Sequence, residues 1–193
     1  MKIISVINNY DLKDPTETAT IYLPDSALLN SGKPLFLPEF DSDFRLYPSI
    51  AIKLSRLGKA ISPRFAHRYV ESAAIGLNTR AHNIESKIRA EGLPWGECAV
   101  FDGAAVTGEF FDIDIDNPPA FSIYVNGERI IEWDPDMMKE NIAETIHRIS
   151  IRNTLKIGDL IFPALTQVGI PINMNDQITG HINNKELLKF NIK

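Results

Sequence analysis

The chain contains a single cysteine, Cys98, and four histidines among its 193 residues. Each shortage excludes something. A lone cysteine cannot close an internal disulfide, so a disulfide scaffold is ruled out and a reducing, cytoplasmic setting is expected. No apolar run approaches the roughly 20 residues of a transmembrane helix, so no membrane association is expected. The apolar part of Met1–Tyr10 is too short for a signal-peptide core, and no small-residue cleavage site follows it. Basic charge is not in excess: 20 Lys+Arg against 25 Asp+Glu leaves −5. That charge is spread along the chain, which gives no nucleic-acid footprint. Neither a glycine-rich phosphate loop nor a nucleophile elbow occurs. His67, His82, His147 and His181 are scattered without metal-ligand spacing.

What remains is ordinary globular composition, 44% apolar and 23% charged, in a length that suits one domain spanning 1–193. Lys2–Ile7 is a β-branched run stopped by Asn8-Asn9, a strand. Four prolines break the chain between Asp11 and Phe44 into loop and short strands. Ser49–Leu54 predicts another strand. Ser62-Pro63 supplies a cap and first-turn proline for a helix carrying Phe65, Ala66, Tyr69 and Val70. Gly76–Gly92 contains a second helical stretch that stops at Gly92. Phe121–Ile131 is a hairpin around Asn126-Gly127, the pair favoured in a type I′ turn. Asp134 or Asp136 caps a helix through Ile142, Ile146 and Ile149. Strands outnumber helices without βαβ alternation, so the class is β-rich α+β.

Two local features invite a chemical reading. On a strand, Asp112, Asp114 and Asp116 would share one face, where a hard cation could bind; a solvated strand face explains the same spacing. Cys98 has no basic neighbour to lower its pKa and Glu97 to raise it, which suits a buried small hydrophobe.

Longer-range order points further. Gly92-Leu-Pro-Trp-Gly-Glu-Cys-Ala-Val-Phe-Asp-Gly-Ala-Ala-Val-Thr-Gly108 resembles a segment of the fumarylacetoacetate hydrolase family. Lys2-Ile-Ile-Ser-Val-Ile-Asn-Asn-Tyr10 resembles that family's opening strand, and Tyr124-Val-Asn-Gly-Glu128 its Val-Asn-Gly turn. Ile149-Ser150 and Leu155-Lys-Ile-Gly-Asp-Leu-Ile161 follow in the same order. The resemblance runs the length of the chain and implies a mixed-sheet fold with a few short helices. It also implies homodimers and Mg²⁺- or Mn²⁺-dependent hydrolysis, decarboxylation or isomerisation of 2-oxo and 1,3-diketo acids. A Glu-x-Glu strand and a downstream Asp then hold the cation.

Matched residue by residue, the resemblance puts Pro48, Ile50 and Gly76 at those carboxylates. Ala99 stands at the active-site lysine, Lys13 at a histidine and Asn8 at an arginine. No Glu or Asp lies between Leu46 and Pro63, or between Glu71 and Glu85. Asn9, Tyr10 and Arg80 are the matched pocket residues that remain. Arg80 suits either a bidentate grip on a carboxylate or an internal salt bridge. The expectation is a catalytically degenerate member with no metal site and no catalytic residue assigned, binding a small carboxylic acid or a protein partner. Two alternatives stand beside it: an active enzyme with a relocated site, and a member of a complex whose active paralogue does the chemistry.

Overall fold

The computed structural model describes residues 1–30 and 32–193. Along the chain run β1 (Ile3–Ile7), β2 (Ala19–Leu23), β3 (Leu28–Asn30), β4 (Phe44–Leu54), β5 (Val70–Ala81), α1 (His82–Glu91), α2 (Gly96–Ala99), β6 (Ala105–Thr107), β7 (Phe121–Val125), β8 (Glu128–Trp133), α3 (Ile142–Arg152), β9 (Leu160–Phe162), β10 (Ile170–Ile172), β11 (Gln177–Ile182) and β12 (Lys185–Asn191). The larger sheet runs β2-β1-β9-β4-β5-β6-β3, with β10 added beside the start of β4, and the smaller runs β12-β11-β7-β8. The β1–β9 and β3–β6 pairs are parallel and the others antiparallel, so the larger sheet is mixed. This is the β-rich α+β architecture expected. No helix among the described residues is long and apolar enough to cross a membrane.

Alternation along the strands gives the larger sheet two apolar faces. Ile4, Val6, Leu46, Ile50, Ile52, Ile75 and Leu77 pack with Ile123, Ile178 and Phe190 of the smaller sheet and with Ile142, Ile146 and Ile149 of α3. Ile3, Ile7, Tyr47, Ala51, Ala74 and Phe162 face the other way, beneath Ile88 of α1 and Cys98 and Ala99 of α2. The hairpin turns at Asn126 (φ 52°) and Gly127 (φ 84°), the left-handed pair its sequence specifies. Gly92 (φ 66°) ends α1, as its lack of a Cβ allows.

Several local expectations are corrected. Pro63–Tyr69 is a 3₁₀ helix in which Ser62 makes no side-chain cap bond. Only Ala66 of that segment is buried, so no apolar stripe supports α-helix there. Gly76–Ala81 belongs to β5, and helix begins only at His82. Ala73–Ala81 is buried on both faces of its strand, and such a continuous run carries no period to separate strand from helix. The cap of α3 is Asn141, in a capping box with Glu144, while Asp134 caps a separate 3₁₀ turn at Pro135–Met137.

Candidate functional site

The site arises from an interruption in the sheet. On one edge of β4, β10 pairs with Phe44–Leu46 and β9 with Ile52 and Lys53. Tyr47–Ala51 has no strand partner on that edge, which is why a proline is tolerated at position 48. The segment 163–169 crosses the opening instead: the Thr166 amide donates to the Pro48 carbonyl (3.0 Å), and the Ala164 amide donates to Ser49 Oγ (3.2 Å). Trp133, fully buried between Tyr10 and Phe121, fixes this segment by donating Nε1–H to the Ala164 carbonyl at 3.0 Å.

Beside the opening lies a cleft of about 260 Å³, lined among others by Arg45, Tyr47, His82, Glu85, Arg89 and Gln167. The register of β4 and β5 decides what faces it. Tyr47 stands opposite Asn78, Ser49 opposite Gly76, and Arg45 opposite Arg80. Directly paired residues share a face, so these six form one side of the sheet.

Arg80, 3% exposed, lies with its guanidinium 4.0 Å from the Tyr47 ring centre. Its Nε donates to Asn78 Oδ1 (3.3 Å) and its Nη1 to Glu85 Oε1 (3.3 Å). The same Glu85 oxygen accepts from Arg89 Nε and Nη2, at 3.2 and 2.9 Å, and Tyr47 donates its hydroxyl to Oε2 at 3.1 Å. Arg89 in turn stacks 4.1 Å over Trp95. One buried carboxylate thus serves two guanidiniums and a phenol.

That setting perturbs two neighbours. Burial, with the Glu85 carboxylate adding to it, pushes the Tyr47 hydroxyl up to about 12. Burial also pushes the Cys98 thiol up to about 11, and again Glu85, not the adjacent Glu97, is the carboxylate that adds to it. Tyr47 in the unfolded chain ionises near 10.0. Between these values the folded chain holds the proton that the unfolded chain has lost, so stability falls as pH rises. The contribution is whole below the unfolded value of 10.0 and lost as pH passes the folded value of about 12. Urea melts across that window are expected to show a shallower loss of stability in Tyr47→Phe than in the parent chain.

The matched pocket residues do not share one set of contacts. Asn9 is fully buried and donates to the Glu140 and Pro163 carbonyls, at 3.0 and 2.9 Å, while accepting from the Glu140 amide. Tyr10 accepts from the Asp134 amide (2.9 Å) and stacks on Trp133; only its backbone carbonyl, held by Gln167 Nε2, lies near the cleft. Arg80 takes its internal salt bridge, and its Nη2 is left without a partner. Glu85 belongs to no motif that the sequence displays; its one signal is the four-residue spacing to Arg89 on α1.

The register places the matched cation positions on different faces. Ile50 packs into the core between the sheets, on the side opposite Tyr47, and Pro48 shares its parity. Gly76 faces the cleft side, but an added Cβ there would meet Phe162 Cε1 at 2.5 Å. A one-residue slip exchanges every side chain between faces, and within Tyr47–Ala51 the residues on the cleft side are Tyr47, Ser49 and Ala51. Ala99 is fully buried among apolar side chains, Lys13 is exposed, and Asn8 holds the Glu17 carbonyl.

Asp112–Asp116 is not a strand, so its three carboxylates do not share a strand face. Asp114 instead accepts from the Asp116 amide and the Asn117 side chain, and the latter bond foremost holds its carboxyl below the usual carboxylate range.

Mg²⁺ or Mn²⁺ requires several oxygen ligands, carboxylates above all. Among the described residues no three His, Cys, Asp or Glu side chains gather where they could hold an ion. On the cleft face Ser49 Oγ accepts from Ala164, Asn78 Oδ1 from Arg80, and both Glu85 oxygens from cations or phenol. These residues do not fit a hard divalent cation.

The model of the fumarylacetoacetate (FAA) hydrolase C-terminal family matches residues 6–163, and the chain belongs to that family. It is 26% identical over 181 residues to the mitochondrial oxaloacetate tautomerase of Mus musculus, covering 92% of this chain and 82% of the relative. It is 22% identical over 157 residues to a fumarylpyruvate hydrolase of a Ralstonia species, covering 80% and 82%. The crystal structure of Pseudomonas aeruginosa fumarylpyruvate hydrolase in complex with Mn²⁺ and pyruvate superposes with a TM-score of 0.89. That match covers 100% of this chain and 89% of that one at 21% identity, and it shows a common fold.

Proposed function

We infer that this chain is a metal-free member of the family, in which the hydrolase or tautomerase chemistry of its relatives has lapsed and a small carboxylic acid is bound instead. The observation that carries this is the use made of Glu85. It is the buried carboxylate of the cleft, and Arg80, Arg89 and Tyr47 occupy both its oxygens. A carboxylate so engaged neutralises cations already in the protein and is not free to ligate another.

The cleft also has the size and sign for a small acid. About 260 Å³ lies below the usual range of drug-sized pockets, which suits a ligand of a few heavy atoms. Arg45 at its lining is paired with Asp43 (2.8 Å), while Arg80 and Arg89 share the single carboxylate of Glu85, which leaves one cation in excess beside the cleft. The relatives act on oxaloacetate and fumarylpyruvate, and the Pseudomonas enzyme holds pyruvate, so 2-oxo acids are the ligand class of choice.

Calorimetric titration of the chain with Mg²⁺ and Mn²⁺ is expected to give no binding heat. With either metal present, oxaloacetate tautomerisation and fumarylpyruvate hydrolysis should proceed at the uncatalysed rate. Pyruvate should bind in EDTA. Saturable metal binding with turnover would restore the enzymatic reading.

A further inference from the structure

Although the chain nets −5, no Asp or Glu occurs in residues 44–70 or in residues 145–158. Folding lays these two stretches side by side. Gly58 and Leu155 exchange backbone bonds of 3.0 and 2.8 Å, which joins the loop after β4 to the loop after α3. The Ala60 amide donates to the Ser150 carbonyl and the Ile61 amide to Ser150 Oγ, each at 2.9 Å. The resulting face carries Arg56, Lys59, Arg64, Arg68, Arg152 and Lys156, all exposed. Among the described residues none of these six pairs with a carboxylate. The acids that flank the two stretches are engaged elsewhere: Asp43 with Arg45, Glu71 with Lys53, Asp159 with Lys2, and Glu144 in the capping box of α3. Apolar side chains stand in water between the cations. Leu57, Ile151 and Ile157 are 66, 52 and 69% exposed. The guanidiniums of Arg64 and Arg68 lie 5.5 and 4.7 Å from the ring centre of exposed Phe65. None of these residues lines the cleft beside Glu85.

We propose that this face docks the chain on an anionic phospholipid surface, with the cations on the headgroups and Leu57, Ile151 and Ile157 in the boundary layer beneath them. Crossing a bilayer needs a long apolar helix, and none occurs among the described residues; lying on one needs only a basic face with apolar side chains set into it. Four of the six cations are arginines, whose planar forks match phosphate oxygens. Leu57 and Ile157 stand on loops, where a soft headgroup layer admits them and a protein partner would need a hollow for each. A second copy paired through this face about a twofold axis would set the six cations against themselves. None of this depends on whether the chain binds metal or a small acid.

The test is co-sedimentation of the whole chain with vesicles of equal parts phosphatidylserine and phosphatidylcholine, with pure phosphatidylcholine vesicles for comparison. The chain is expected to sediment with the anionic vesicles only, and to be released as salt screens the headgroups. Each basic residue at such a surface contributes about fivefold in affinity. Arg64→Gln with Arg68→Gln should therefore weaken binding by about twentyfold or more, and Leu57→Ser with Ile157→Ser by about tenfold. Arg129→Gln, outside this face, should bind as the parent does. In the otherwise unchanged chain, Leu57→Trp should shift its emission to the blue when anionic vesicles are added. Equal binding to the two kinds of vesicle, no binding to either, full binding by either double variant, or an unshifted Leu57→Trp emission overturns the proposal. Tighter binding of polyglutamate or duplex DNA than of the anionic vesicles makes the face a site for another polyanion and overturns it too.

Discussion

Replacing Glu85 with alanine is expected to be among the most damaging single changes in this protein. The carboxylate is 4% exposed, and its removal leaves the Arg80 guanidinium, 3% exposed, without its counter-charge. Breaking a buried pair in this way costs about 3–5 kcal/mol, which for a chain of this size is roughly 10 °C in melting temperature. Arg89 is half in water and reorganises at little cost. The double substitution Glu85→Leu with Arg80→Met removes both charges and should recover most of the loss, since apolar replacement of a whole buried pair is often neutral. Thermal melts of the single and double variants check these expectations. A Glu85→Ala chain that melts within about 2 °C of the parent has lost no more than about 1 kcal/mol, and that result contradicts the geometry described for the cluster.

Installing a carboxylate by Gly76→Asp should fail on two grounds. Its Cβ would lie 2.5 Å from Phe162 Cε1 and 2.9 Å from Ala51 Cβ, both in packed surroundings. Overpacking of this kind costs about 1–3 kcal/mol, and an unpaired buried carboxylate adds several more unless it takes up a proton. The variant is expected to lose about 3 kcal/mol or more in urea melts and to bind no Mn²⁺ by calorimetry. Phe162 thus occupies the space that any side chain at position 76 would need.

Family and class are legible in the sequence for local reasons. β1 is a bounded β-branched run, Asn126-Gly127 admits one turn type, and the apolar spacing of Ile142, Ile146 and Ile149 is helical. Those signals depend on residues close in the chain. The site is harder to read. Ala73–Ala81 is buried on both faces and so has no period. Matching Pro48 and Ile50 to the cation positions puts them on the cleft side, whereas the strand turns Tyr47 and Ser49 toward it. Side-chain alternation puts adjacent residues on opposite faces, so the two matched positions and the cleft residues of β4 fall on different sides of the sheet. Glu85 becomes visible only once α1 is folded back over β5, because its partners Tyr47 and Arg80 lie on two different strands. That β4 carries no carboxylate is legible as composition; that Arg80 and Arg89 both engage Glu85 is not.

The parallel pairing of β1 with β9 has a consequence for how the molecule is made. Lys2 and Asp159, 157 residues apart, are tied by backbone and side-chain bonds at the start of that ladder. The sheet cannot close until β9 is available, and pairings of such long range are slow to form. The segment 163–169 that bridges the gap in β4 emerges later still. During synthesis the first strand must wait with its edge unpaired on that side, and the cleft is completed among the last parts of the fold. A chain interrupted before residue 160 would present the Tyr47–Ala51 edge and the apolar β1 to solvent, so its hazard is self-association and not merely loss of the site.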